Sequence, residues 1–250
     1  MINLHQFART WGIPNLSHFC CKLETYLRLT QIPYQIIESM PPKAPKGKLP
    51  FIEDDGKKIA DSDLIIRYLI QKHGDQLEAS LSPSQKAISI AMQRLLEDHL
   101  FWITMYTRWQ YSEKNWQINK KAIFHSFPPL IRDGVASVYR FFVRRQIHGH
   151  GLGRHSSEEI FQLGRTDLDA LSDFLANKPY FMGDKPTNLD ASAFGILINT
   201  LACPIESPVK EHALSKQNLV DFSERRFTLT KFEVFGLNPM AQLACHNLRH

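Results

Sequence analysis

Lys46-Gly47-Lys48-Leu49-Pro50-Phe51-Ile52, followed by Ile59-Ala60-Asp61-Ser62, is the stretch on which the reading of this chain turns. Leu49-Pro50-Phe51 sets a proline at the entry to a strand. A proline donates no ladder hydrogen bond, so it cannot sit inside a central strand. The X-Pro bond is also the one peptide for which the cis form costs little. A cis turn here predicts that the N–H and C=O of Leu49 face outward, free to pair with an extended ligand. Beyond the next turn, Asp61-Ser62 opens a helix whose unpaired N–H groups and positive dipole end suit a carboxylate. Together these features describe a grip for a short anionic peptide. The plainer alternative is a proline at a strand entry followed by an ordinary N-cap.

The flanking sequence places this grip in a fold. Ile2, Leu4 and Phe7 give a partly alternating apolar pattern that predicts a first strand. A loop with Gly12 and Pro14 follows, then Ser17 as an N-cap and Phe19, Leu23, Tyr26 and Leu27 at helical spacing. Ile32-Pro33 ends that helix, Tyr34 to Ile37 reads as a second strand, and Pro41 to Pro45 forms a loop. Leu49 to Asp54 then runs as a strand, turns at Asp55-Gly56 and returns antiparallel over Lys57 to Ala60. Leu64, Ile65, Tyr68 and Leu69 mark a helix that stops at Gly74. A parallel βαβ unit, an antiparallel hairpin and a closing helix make an α/β sandwich of thioredoxin type, here residues 1–77.

From Pro83 onward the pattern is all-helical, giving a second domain over 83–230 and a tail over 231–250 expected to be surface or poorly ordered. Ile88, Met92, Leu95, Leu96, His99, Ile103 and Tyr106 keep one apolar face of a long helix, and Phe101, Trp102, Met105 and Trp109 supply a second. A helix with two apolar faces must touch something else: core, a ligand pocket or the partner in a homodimer. Pro128-Pro129 starts a further helix that reaches Gly149-His150-Gly151. Ser156 with Glu159, and Thr187 with Asp190, form capping boxes; the second precedes the small and apolar run Ala191 to Leu197, expected to be a buried central helix. A last helix is predicted over Asn218 to Phe227.

Composition narrows the function. The 250 residues are 43% hydrophobic and carry a formal charge of +5, but Lys and Arg are scattered, apart from Arg140, Arg144, Arg145 and Arg154, and are not interleaved with aromatics, which argues against nucleic acid and leaves a weak anionic surface as the alternative partner. Arg140 and Arg144, at i,i+4, read as a solvated helix face. The longest apolar stretch, Ala191 to Ala202, is too short and too polar to span a bilayer, and the N-terminus shows no secretory signal. A cytoplasmic protein with reduced thiols is expected, since Cys20, Cys21, Cys203 and Cys245 have neither disulfide-scaffold nor zinc spacing. His148, His150 and His155 lack a carboxylate or cysteine at ligand spacing, so no metal is expected.

Ile13-Pro14-Asn15-Leu16-Ser17-His18-Phe19-Cys20, Lys22 to Leu27, Lys46 to Ile52 and Ile59 to Ser62 resemble the failed axon connections and metaxin-like branch of the glutathione transferase superfamily. Gly151-Leu152-Gly153-Arg154-His155-Ser156 and Met182 to Ala191 resemble it too, so the likeness covers both domains, residues 2–225, in order. It implies a thioredoxin-like domain followed by a helical transferase domain. It further implies that Pro50 is the cis-proline, that Leu49 pairs with the cysteinyl backbone of glutathione, and that Asp61-Ser62 receives the γ-glutamyl end.

Under that resemblance the chemistry sits at the start of the first helix, where Ser17 and Cys20 occupy the two ends of a C-x-x-C-like spacing. If Ser17 works, its hydroxyl donates to the glutathione sulfur and, with the helix dipole, favours a thiolate that attacks a hydrophobic electrophile, a detoxification chemistry. If an exposed Cys20 works, thiol-disulfide exchange with glutathione follows. A metaxin-like interaction module without chemistry is the third reading. Ser17 is the favoured residue, lying at the mouth of the helix. His18 departs from the proline the branch often carries there. Trp11, Tyr106 and Trp109 are the candidate wall for the hydrophobic substrate.

Overall fold

The computed structural model describes residues 1–229, so the expected tail at 231–250 lies outside the described residues. The chain opens with β1 (Ile2–Gln6), α1 (His18–Leu29), β2 (Tyr34–Glu38), β3 (Phe51–Asp54), β4 (Lys57–Ala60) and α2 (Ser62–His73). The strands lie in the order β2-β1-β3-β4, with β1 and β2 parallel and the other pairs antiparallel. Strand β3 starts at Phe51, two residues later than the sequence pattern suggests, because Pro50 has no N–H to give the ladder. Asp55 and Gly56 both take positive φ, 48° and 76°, which matches the twist a two-residue hairpin needs.

Register fixes where the ends meet. Phe51 lies opposite Ala60 on one side and His5 on the other. Leu49-Pro50, Asp61-Ser62 and the end of β1 therefore converge at one end of the sheet. Glu24, fully buried on α1, binds this layer together: it accepts from Gln6 Nε2 at 2.9 Å, Arg9 at 2.6 Å and the Tyr34 hydroxyl at 3.0 Å. A buried carboxylate with that many donors is satisfied rather than reactive.

The second domain comprises α3 (Pro83–Arg94), α4 (Phe101–Tyr106), α5 (Glu113–Phe124), α6 (Pro129–His150), α7 (Ser157–Leu175), α8 (Asn188–Leu201), α9 (Pro208–Ser215) and α10 (Gln217–Leu229). Helices α3 and α4 run on through wider π turns at Leu95–Leu100 and Thr107–Tyr111. Each π turn rotates the face that follows, which is why the two apolar stripes do not behave as one straight helix predicts. Ile88 is exposed, whereas Leu96, Leu100, Ile103 and Tyr106 are buried. The second stripe is taken up inside the chain. Phe101 meets His18 at 5.1 Å and Phe19 at 4.8 Å on α1, and Trp102 stacks on His150 of α6 at 4.8 Å.

Helix α8 is buried along its whole length. Its capping box is closed: Asp190 accepts from the Thr187 N–H at 2.7 Å and hydroxyl at 2.8 Å, and also from the Phe181 N–H at 2.9 Å. Gly195 lets α8 lie directly on α1, for a Cβ there would fall 2.5 Å from the His18 carbonyl oxygen. Ser156 and Glu159 close the other predicted box, at the head of α7. Helices α5 and α9 were not anticipated from the apolar pattern.

Candidate active site

Ser17 stands just ahead of α1 with extended backbone, and its Oγ accepts from the Cys20 N–H at 3.3 Å. The serine is half-buried, and its approach is held from both sides. Asn15 Oδ1 accepts from the Ser17 N–H at 3.0 Å, while Asn15 Nδ2 donates to the Phe7 carbonyl at 2.7 Å. Arg108, buried at the second π turn, donates to the Leu16 carbonyl at 2.6 Å and to Asn199 Oδ1 at 2.7 Å. Its guanidinium also lies over the Trp11 ring, 5.2 Å from the centroid. The loop carrying Ser17 is thus fixed by the helical domain as much as by its own. Neither Asn15 nor Arg108 belongs to the site residues the sequence pattern marks. Asn15, two residues before Ser17, has the Asx-turn spacing that could have flagged it; Arg108 gave no local signal.

Cys20 is one turn further in and fully buried, and burial pushes its thiol up to about 12 despite hydrogen bonds from Ser17 and the Phe7 backbone. It packs with Leu49, Phe51 and Ala60, so the first turn of α1, the proline turn and the end of β4 share one apolar patch. The Leu49-Pro50 peptide is cis, and Leu49 is buried. Asp61 has φ 88°, and its Oδ1 accepts from the Asp63 and Leu64 N–H groups at 3.1 and 3.3 Å. One oxygen of the Asp61 carboxylate thereby caps α2, and Ser62 follows as a buried first residue of the helix.

Beside the Ser17 end of α1 opens a cleft of about 220 Å³. Phe7, Leu16 and Met40 line it from the sheet domain, and Ile123, His125 and Ser126 from the end of α5 and the link beyond. The aromatic residues suggested as a substrate wall lie elsewhere. Tyr106 is buried with its hydroxyl 2.6 Å from Ser157 Oγ, Trp109 is buried against Trp116, and Trp11 lies under Arg108. None of the three borders the cleft: the π turns direct Tyr106 and Trp109 into the helical core, and Arg108 holds Trp11 from the loop side. Among the described residues, no three His, Cys, Asp or Glu side chains converge as metal ligands. Nor, among those residues, is any helix long and apolar enough to cross a membrane.

A family model for the glutathione S-transferase N-terminal domain matches residues 18–115, and one for the C-terminal domain matches 164–226. The isoprene-epoxide–glutathione S-transferase of Rhodococcus sp. (strain AD45) is 37% identical over 90% of this chain and 97% of its own. Failed axon connections of Drosophila melanogaster is 36% identical over 90% of this chain, which spans 57% of that relative. Among solved structures, a glutathione transferase from Phanerochaete chrysosporium superposes with TM-score 0.64 at 18% identity, covering 93% of this chain and 98% of its own. The chain belongs to the glutathione S-transferase superfamily, in the branch of failed axon connections and the metaxins.

Proposed function

We propose that this protein conjugates glutathione to a small apolar electrophile, with Ser17 holding the thiolate. The observation that carries the reading is the placement of Ser17 at the head of α1, next in sequence to Leu16 of the cleft wall, at the sheet end that also bears Leu49 and Asp61-Ser62. In this reading the Leu49 backbone pairs with the cysteinyl residue of glutathione. The γ-glutamyl end carries both an ammonium and a carboxylate. The second oxygen of Asp61 accepts from the ammonium, and the Ser62 hydroxyl with the Ser62 N–H, the donor of that first turn which Asp61 does not occupy, takes the carboxylate.

The Ser17 hydroxyl accepts from the Cys20 N–H, and its own proton, which faces the Cys20 sulfur in the free chain, turns to the glutathione sulfur when the tripeptide binds. That bond and the positive end of α1 favour the thiolate, whose proton leaves to solvent. An epoxide is the electrophile class of choice, on the strength of the 37% identical relative named for one. Sulfur attacks a ring carbon, the carbon–oxygen bond breaks, and the alkoxide takes a proton. Burial of Cys20, with its raised pKa, counts against a disulfide-exchange mechanism at that thiol.

The test is turnover of a small alkyl epoxide by wild type and Ser17→Ala, alongside thermal melting with glutathione. Glutathione should raise the melting temperature of both, as any ligand specific to the folded state does. Turnover should fall about a hundredfold in the variant, the scale of losing one preorganised donor to an anion. Equal turnover removes Ser17 from the mechanism, and the absence of any melting shift in wild type favours a non-catalytic interaction module.

A further inference from the structure

Helix α6 presents a face that neither the fold nor the candidate active site uses. Of its 22 residues only Ala136 and Ile147 are buried. Leu130 is 99% exposed, and Ile131, Val138, Phe141 and Phe142 are each more than half exposed. At 100° per residue these five, with Gly134 between them, fall on one stripe roughly 120° wide, on the side away from Ala136 and Ile147. Space over the stripe is open, since a Cβ built at Gly134 meets nothing within 4 Å. Two adjacent phenylalanines facing solvent on one helix form a contiguous apolar patch of the kind that marks an interaction surface.

The charge on the same helix identifies the chemistry of what covers it. Helix α6 carries Arg132, Arg140, Arg144 and Arg145 plus two histidines, against Asp133 as its one carboxylate, which is paired with Lys120 at 3.1 Å. Along the edge of the stripe runs an open groove of about 720 Å³, lined by Arg140, Arg144, Arg145 and His148 and sharing Phe141 with the stripe. Arg140 is anchored there by Glu113 at 2.9 Å and by stacking over Trp116 at 4.8 Å. Arg144 and Arg145 are exposed, with no carboxylate partner among the described residues. A second copy of the chain, set on this face about a two-fold axis, would lay the exposed Arg144 and Arg145 of each helix against a stripe that carries no carboxylate to offset them.

We propose that α6 is a docking helix for an anionic phospholipid surface: its apolar stripe enters the boundary between headgroups and acyl chains, and the arginine groove receives the headgroup phosphates. An exposed helix with bulky apolar residues on one side, Arg144 at their margin and Arg145 one turn beyond them with its guanidinium 5.8 Å from the Phe141 ring centroid matches that solvent on both counts.

The experiment is co-sedimentation of the full chain with phosphatidylcholine vesicles containing roughly 30% phosphatidylserine, in about 0.1 M salt, against pure phosphatidylcholine. Binding should be at least about tenfold stronger to the anionic vesicles. Arg144→Glu with Arg145→Glu should weaken it by about twentyfold or more, and Phe141→Ser with Phe142→Ser by a comparable factor. Hydrogen exchange of the wild-type chain over residues 129–150 should slow when the vesicles are added, a reading that depends on no variant. Equal binding to both vesicles, no binding, unchanged exchange over α6, or wild-type binding by the phenylalanine variant each overturns the proposal. So does a dimeric mass by light scattering that becomes monomeric in that variant, since the stripe would then be a seam between copies.

Discussion

Lys22 Nζ, buried on α1, lies 2.6 Å from Glu97 Oε1 in the first π turn of the long helix. The same ammonium pairs with Asp63 in the first turn of α2, and Glu97 also accepts from Ser192 Oγ at 2.6 Å. Four helices from both domains thus meet on one ion pair. A buried pair is weak evidence of net stabilisation, but breaking one side of it leaves an uncompensated charge. Lys22→Met should therefore lower unfolding free energy by about 3–5 kcal/mol in urea melts. Combining it with Glu97→Leu should restore much of the loss, and a double variant no better than the single would contradict this account.

His18 gives the fold a pH signature. Burial, assisted by Arg108, holds its pKa well below the usual 6.5, so it is neutral in the folded chain. The unfolded chain takes up a proton below about 6.5, so folding stability from this group is complete above that pH and is lost as pH falls. Between pH 6.5 and 5, stability should decline with a slope approaching about 1.4 kcal/mol per pH unit from His18 alone. His18→Gln should flatten that slope by about one proton; a profile parallel to wild type would dismiss the assignment.

Cys20 should be silent toward thiol reagents in the native protein. With its pKa near 12 and no exposed surface, its thiolate fraction at pH 8 is on the order of 10⁻⁴. Peptide-level mass spectrometry after brief maleimide treatment should find it unlabelled until denaturant is added. Cys20→Ala should keep epoxide turnover within about threefold of wild type, its cost appearing in stability as a small cavity. Rapid native labelling at Cys20 would return thiol exchange to contention.

Gly195→Ala should separate α8 from α1. The added Cβ meets backbone, the His18 carbonyl oxygen at 2.5 Å and the Lys22 nitrogen at 3.0 Å, so no side chain can swing aside. A loss of about 1–3 kcal/mol or more is expected from overpacking, seen as a lower melting temperature. Since the contact bears on the first turns of α1, turnover should fall together with stability; a neutral substitution would show that the helices part without cost.

Local hydrogen-bond chemistry was legible in the sequence, and long-range placement was not. Ser17, the Asp55-Gly56 turn and the Thr187-Asp190 box each announce themselves within a few residues, and the structure has the cap, the hairpin and the box where those residues stand. The order of sheet and helices followed from them. Helix α5 escaped notice because its apolar residues are few beside Lys, Asn and Gln, which blurs the period. The π turns leave no mark in composition, so Tyr106 and Trp109 could be assigned to a face but not to the direction it points. Lys22 and Glu97 look like ordinary surface charges until the chain is folded, because 75 residues separate them. The two residues that clamp the Ser17 loop from afar, Arg108 and Asn199, were invisible for the same reason.

The cleft beside Ser17 is assembled from two stretches of chain that have little to do with one another. Phe7, Leu16 and Met40 come with the sheet that would hold the tripeptide, while Ile123, His125 and Ser126 arrive from the α5–α6 excursion. Substitutions confined to that excursion would reshape one wall of the cleft while leaving Ser17 and the Leu49-Pro50 turn where they stand.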